Sequence, residues 1–151
     1  MIQLTKIFHF EMAHAIHGYD GPCKHVHGHS YELHLAITGK NPGTEYIPAP
    51  GFEVDFKDIK QLVVTEVIKQ LDHKLVLSHD FLAVHPSFAG QANLVSWEVE
   101  PSAENLLIFI AKKLRDRVPA HSRLSYMKLY ETNNSYAEWF NPDNFNHSSN
   151  R

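Results

Sequence analysis

An α+β fold is predicted for this chain, with an antiparallel sheet and two helices packed on one of its faces in the order ββααββ. Three observations predict it. Period-two alternation marks the opening and the closing stretches of the chain. Two segments of helical period lie between them. The length, 151 residues with 43% apolar composition, is enough for one substantial core.

The first strand is read from Ile2, Leu4, Phe8, Phe10 and Met12, which share one parity, with Lys6 as the exception; His14 continues that parity. Tyr31, Leu33, Leu35 and Ile37 alternate with polar residues in a second strand that stops at Gly39. Lys40 to Pro50 is turn-rich, and Gly51 to Phe56 is expected to make a short extended return. From Asp58 the period becomes helical. Ile59, Leu62, Val63, Glu66, Val67, Gln70 and Leu71 form one stripe, with Asp55 or Asp58 as cap. Lys74 to Glu100 is expected to be a long excursion with a short strand near Val95 to Val99. Pro101-Ser102-Ala103-Glu104 is a helix start with Ser102 as cap, and Ala103, Leu106, Leu107, Ile110, Ala111 and Leu114 form the buried face. Lys112, Lys113, Arg115 and Arg117 suit the helix's C-terminal end, and Pro119 stops it. Leu124 to Thr132 and Tyr136 to Phe140 are the last two strands. Asn141 to Arg151 is a polar tail expected to fray.

Composition excludes several classes. A net charge of −3 offers no basic field for nucleic acid. No apolar run approaches the roughly 20 residues that span a bilayer, and the first residues lack a signal-peptide layout. One cysteine excludes an internal disulfide, and the whole fits the cytoplasm. Histidine is the anomaly, with 12 copies, so spacing has to choose among them.

The chemistry concentrates in Cys23-Lys24-His25-Val26-His27-Gly28-His29, with His14 upstream. In a strand, residues i and i+2 share a face, so His27 and His29 present their rings together. If the first two strands form a hairpin, His14 sits beside them. Three protein ligands and one open position are the pattern of a catalytic zinc. His25 is the chief substitute ligand, and His9, His17 and His34 are rivals. Cys23 lies in a turn with Gly21 and Pro22, which argues against a core role; a thiol beside a cation or metal is readily activated. Asp72-His73 suits a proton relay or, equally, a helix cap beside a surface histidine. Glu131 closes a strand, and Glu104 lies in a helix's first turn.

Phe8 to His14, Cys23 with His27-Gly28-His29-Ser30-Tyr31, Leu71-Asp72-His73, Pro101 to Leu106 and Glu131-Thr132 together resemble the 6-pyruvoyltetrahydropterin synthase superfamily. The three residues between the thiol and His-Gly-His resemble its 6-carboxytetrahydropterin synthase branch, which makes the pterin precursor of queuosine. The resemblance implies a T-fold over residues 1–140, with the long insertion at 74–100. It implies trimers or dimers of trimers whose active sites lie between subunits. It implies zinc on His14, His27 and His29, acid–base work by Cys23, Asp72 and His73, and a pterin anchored by Glu131 with help from Glu104 and Ser102. Lys24, His25 and Lys74 are the cations available for a triphosphate.

The implied activity is a zinc-dependent lyase. It converts 7,8-dihydroneopterin triphosphate to 6-carboxy-5,6,7,8-tetrahydropterin, releasing acetaldehyde and triphosphate. The alternative enzyme is 6-pyruvoyltetrahydropterin synthase, which eliminates triphosphate without breaking a carbon–carbon bond. A non-catalytic zinc-binding assembly protein is the alternative of another class. A zinc hydrolase ranks low, because His-Glu-x-x-His is absent. Lys40 to Gly51 and Lys74 to Glu100 are longer than the branch's short pattern.

Overall fold

The computed structural model describes residues 1–148. Its centre is a hairpin of two twelve-residue strands, β1 (Gln3–His14) and β2 (His27–Thr38), paired without interruption from Gln3↔Thr38 to His14↔His27. Phe8, Phe10, Met12 and His14 of β1 and Tyr31, Leu33, Leu35 and Ile37 of β2 are buried on one face, as the alternation requires. β5 (Arg123–Thr132) pairs antiparallel with β2, and β6 (Ser135–Phe140) with β5.

α1 (Phe56–Val63) begins at Asp55, whose side chain accepts the Lys57 N–H at 2.8 Å. The helix continues through a π-helical stretch (Val64–Ile68) into a last turn, α2 (Lys69–Leu71). Ile59, Val63, Val67 and Leu71 are its buried stripe. α4 (Ala103–Leu114) is capped by Ser102, which accepts from the Asn105 N–H at 3.2 Å. Both helices bury their stripes in the same core as the inner face of the hairpin.

The α+β class and the ββααββ frame are as expected. The sheet is larger than expected, and mixed where an antiparallel one is predicted: its order is β4-β3-β1-β2-β5-β6. The 74–100 segment supplies β3 (Lys74–Ser78), a short helix α3 (His79–Val84), a 3-10 turn (Pro86–Gly90) and β4 (Leu94–Trp97). β3 runs parallel to β1 and to β4. Lying between two strands, it is buried on both faces: Val76 joins the main core, while Leu75 and Leu77 form a second small core with Ala15 and Phe81. The two long strands are therefore not edges; β4 and β6 are.

Two other expectations are corrected. Residues 51–55 form no strand, because the Glu53 carboxylate accepts the backbone N–H groups of Lys40 and Asn41 and ties the loop to itself. Asn141 is buried and its side-chain amide donates to the Leu124 carbonyl at 2.7 Å, while Asn144 donates to Ser125. The start of the expected fraying tail is thus pinned to β5, in a 3-10 stretch (Pro142–Ser148); residues 149–151 lie outside the described residues. Among the described residues, no helix is long and apolar enough to cross a membrane.

Ile110 is fully buried where α4 meets the sheet. Ile110→Ala is expected to destabilise the fold by about 2–5 kcal/mol, read as a lower midpoint in urea with an unchanged slope.

Candidate metal centre and its cavities

The register of the hairpin assembles the site. His14 lies directly opposite His27, and Met12 opposite His29, so all three rings emerge on the inner face at one end of the sheet. One ligand nitrogen from each lies within 4.8 Å of the others. His14 is buried, while His27 and His29 are half-buried.

The outer nitrogens fix the tautomers. His14 Nδ1 is 2.7 Å from the Pro101 carbonyl, and His27 Nδ1 is 2.7 Å from the His25 carbonyl. A carbonyl only accepts, so each Nδ1 carries the proton and each Nε2 presents a lone pair. Those two lone pairs face each other at 3.1 Å. Two acceptors at that distance repel unless a cation sits between them. Nitrogens bound tetrahedrally to one zinc at ~2.0–2.1 Å stand about 3.3 Å apart. His29 Nε2 is buried without a hydrogen-bond partner, although Glu131 Oε1 is 3.6 Å away. That separation would be an ion pair only with a protonated ring, and burial pushes His29 below its ordinary pKa. Burial does the same to His14, against an opposing pull from the Pro101 carbonyl. Neutral rings, lone pairs turned inward and an outer-nitrogen bond on two of three ligands fit a divalent ion, and imidazole suits zinc.

The rival histidines are elsewhere. The His25 carbonyl serves His27, while the His25 ring lines a different cavity. His34 is hydrogen-bonded to Glu32, with His9 3.9 Å from the same carboxylate. The glycine between the ligands is not a close-approach requirement: a Cβ at Gly28 would meet only the Met12 carbonyl oxygen, at an ordinary 3.6 Å.

A cavity of about 410 Å³ opens beside the triad, and its lining includes His14, Cys23, Ser102, Glu104 and Glu131. Cys23 is a free, half-buried thiol. Its turn is held by Ile16 N–H to the Cys23 carbonyl at 2.8 Å and by Lys24 N–H to the Gly21 carbonyl at 3.1 Å. Ser102 and Glu104 arrive on the start of α4, the same loop whose Pro101 orients His14. Glu131 follows Met127 and Leu129 on the inner face, and the β5–β6 register shifts there, leaving it outside the ladder. Tyr19 and Tyr136 also line this cavity. Sequence reasoning passed over both, since an aromatic in a turn or on an edge strand carries no spacing signal.

Asp72 and His73 are not in that lining. Asp72 leaves the helix in an extended conformation, and His73 adopts φ 60°. That break lets adjacent side chains meet, with His73 Nδ1 3.0 Å from Asp72 Oδ1. The Glu11 N–H donates to Asp72 at 2.9 Å and, with the His73 ring next, holds its carboxyl below the usual range. The His73 ring is 78% exposed and lines another cavity with Glu11, Lys74 and Asn93.

The pH dependence follows from the lowered histidines. Both rings stay neutral below the ordinary 6.5, so bound metal is expected to persist to lower pH than on free imidazole. In metal-free protein the unfolded chain binds these protons first. Stability is therefore complete above pH 6.5 and declines as pH falls through that value towards the folded ones. Urea midpoints between pH 7.5 and 5.5 should fall more steeply for the wild type than for a His14→Gln/His29→Gln variant.

The chain has known relatives. A protein of Haemophilus influenzae named 6-carboxy-5,6,7,8-tetrahydropterin synthase is 27% identical over 145 residues, 92% of this chain and 99% of that one. A protein of the same name from Rickettsia felis is 29% identical over 143 residues, covering 91% and 99%. The solved 6-pyruvoyl tetrahydropterin synthase of Caenorhabditis elegans superposes with a TM-score of 0.66 at 20% identity, over 92% of this chain and 94% of that one. The model of the family described as 6-pyruvoyl tetrahydropterin synthase matches residues 3–142, and the chain belongs to that family.

Proposed function

We propose that the chain is a zinc-dependent lyase that converts 7,8-dihydroneopterin triphosphate and one water to 6-carboxy-5,6,7,8-tetrahydropterin, releasing acetaldehyde and triphosphate. The single observation that carries the reading is the pair of opposed lone pairs on His14 and His27, set beside a cavity that also holds Cys23 and Glu131. The names of the Haemophilus and Rickettsia relatives support the same reaction.

The roles in this reading are those the family resemblance implies, and the geometry is compatible with them. Glu131, assisted by Glu104 and Ser102, accepts the amino and ring N–H groups of the pterin edge, as a carboxylate accepts any parallel pair of donors. Tyr19 and Tyr136 offer flat faces to the ring. Bound zinc supplies Lewis acidity towards the hydroxyl oxygens of the substrate side chain, held by His14, His27 and His29. Cys23 takes and returns the proton at the side-chain carbons. Asp72 orients His73, which passes a proton to or from the substrate oxygens. The family resemblance supports an oligomer with shared sites; His73 is exposed and outside the Cys23 cavity, so in this reading the pair serves the site of a neighbouring copy.

Cys23→Ala is expected to keep its zinc and lose turnover by about 10²–10⁴-fold. Acetaldehyde must appear with each wild-type turnover. Triphosphate release without acetaldehyde would reassign the protein to the 6-pyruvoyl reaction, and no consumption of substrate by the zinc-loaded wild type would leave only a binding role. Mixing inactive Cys23→Ala with inactive Asp72→Asn is expected to restore part of the activity, since a mixed oligomer contains some sites with both groups intact.

A further inference from the structure

A second cavity, of about 430 Å³, lies against the Cys23 turn and takes no part in the steps above. His17, Lys24, His25 and His85 line it together with Phe81 and Phe88, and no aspartate or glutamate does. The Cys23 cavity is the reverse, with Glu104 and Glu131 and no lysine or arginine. Ile16 and Tyr19 line both, so the two share a wall. Two carboxylates stand near these donors without lining the cavity. Asp20 lies 3.9 Å from Lys24 in a solvent-exposed pair of little strength. Glu100 accepts the His17 backbone N–H at 2.6 Å.

His85 follows α3, within the 74–100 segment. Its ring is 4.5 Å from that of Phe81, a buried residue of the second small core. The segment therefore holds an imidazole in a set place rather than on a loose loop.

Resting on the reading of the metal centre given above, we infer that this second cavity receives the phosphoryl end of the substrate and that His85 makes the 74–100 segment part of substrate selection. Ammonium and imidazole N–H groups donate charge-assisted hydrogen bonds to phosphate oxygens. The glutamates repel the same oxygens and attract the N–H edge at the other end. Acceptors in one cavity and donors in the other thus set which way round a molecule with an N–H donor head and a polyanionic tail can enter.

The test uses the zinc-loaded full chain and inorganic triphosphate as probe, followed by calorimetry. His85→Ala and His17→Ala are each expected to weaken its binding about tenfold. They should raise KM for dihydroneopterin triphosphate by a similar factor with kcat held, and leave zinc content and the affinity for unphosphorylated dihydroneopterin unchanged. His85→Phe keeps a ring against Phe81 and removes the donors, so its result stands if the alanine variant fails to fold. Variants that bind inorganic triphosphate like the wild type overturn the inference, as does an equal loss of affinity for unphosphorylated dihydroneopterin. Wild-type binding of triphosphate through His85 without turnover of the pterin ester would uphold the subsite and reject the lyase reading.

Discussion

Two carbonyl groups govern this site. Pro101 and His25 each take the Nδ1 proton of a ligand histidine, and so force the opposite nitrogens to face one another as bare lone pairs. The arrangement is unfavourable without a cation, and the fold maintains it through elements far apart in sequence. His14 sits on β1, His27 on β2, and Pro101 immediately before the α4 cap. Burial of His14 and His29 then disfavours the protonated rings, which leaves a metal ion as the better partner. The residues that enter the adjoining cavity come from the same elements: Cys23 from the turn closing the hairpin, Ser102 and Glu104 from α4, Glu131 from the end of β5.

Much of this was legible in the sequence. Parity put His27 and His29 on one face and an assumed hairpin brought His14 beside them, with His25 left as the substitute; the register of β1 and β2 settles the choice. Ser102 is readable because a cap needs a side-chain oxygen at one position. β3 was not legible: a strand covered on both faces is a short apolar run, Leu75 to Leu77, with no alternation to separate it from a loop or a helix fragment. The mixed sheet follows from that one omission. The register shift at Glu131 and the positive φ of His73 are likewise invisible to periodicity, since both are local departures from it.

Asp72 and His73 separate what a chain's order can tell from what its folding adds. Their adjacency in sequence suggested a relay, and the helix rule argued against contact. The contact exists because the helix ends just before them, and β1 secures that break: the Glu11 N–H donates to the Asp72 carboxylate, and the Glu11 carbonyl accepts the His73 N–H at 2.6 Å. The same β1 that carries His14 to the inner face therefore presents this pair outward, with the His73 ring exposed.

The manner in which β3 joins the sheet has a consequence for how the protein can diversify. The strand meets β1 over only Met12, Ala13 and His14, while its own helix and 3-10 turn rest on a separate apolar cluster. Outside that seam, which includes His14 opposite Val76, the module's α3 and 3-10 turn rest on their own cluster and can change length without entering the hairpin. The appendage and the strands that carry the imidazoles are thus separable in their packing, joined through a contact of three residues.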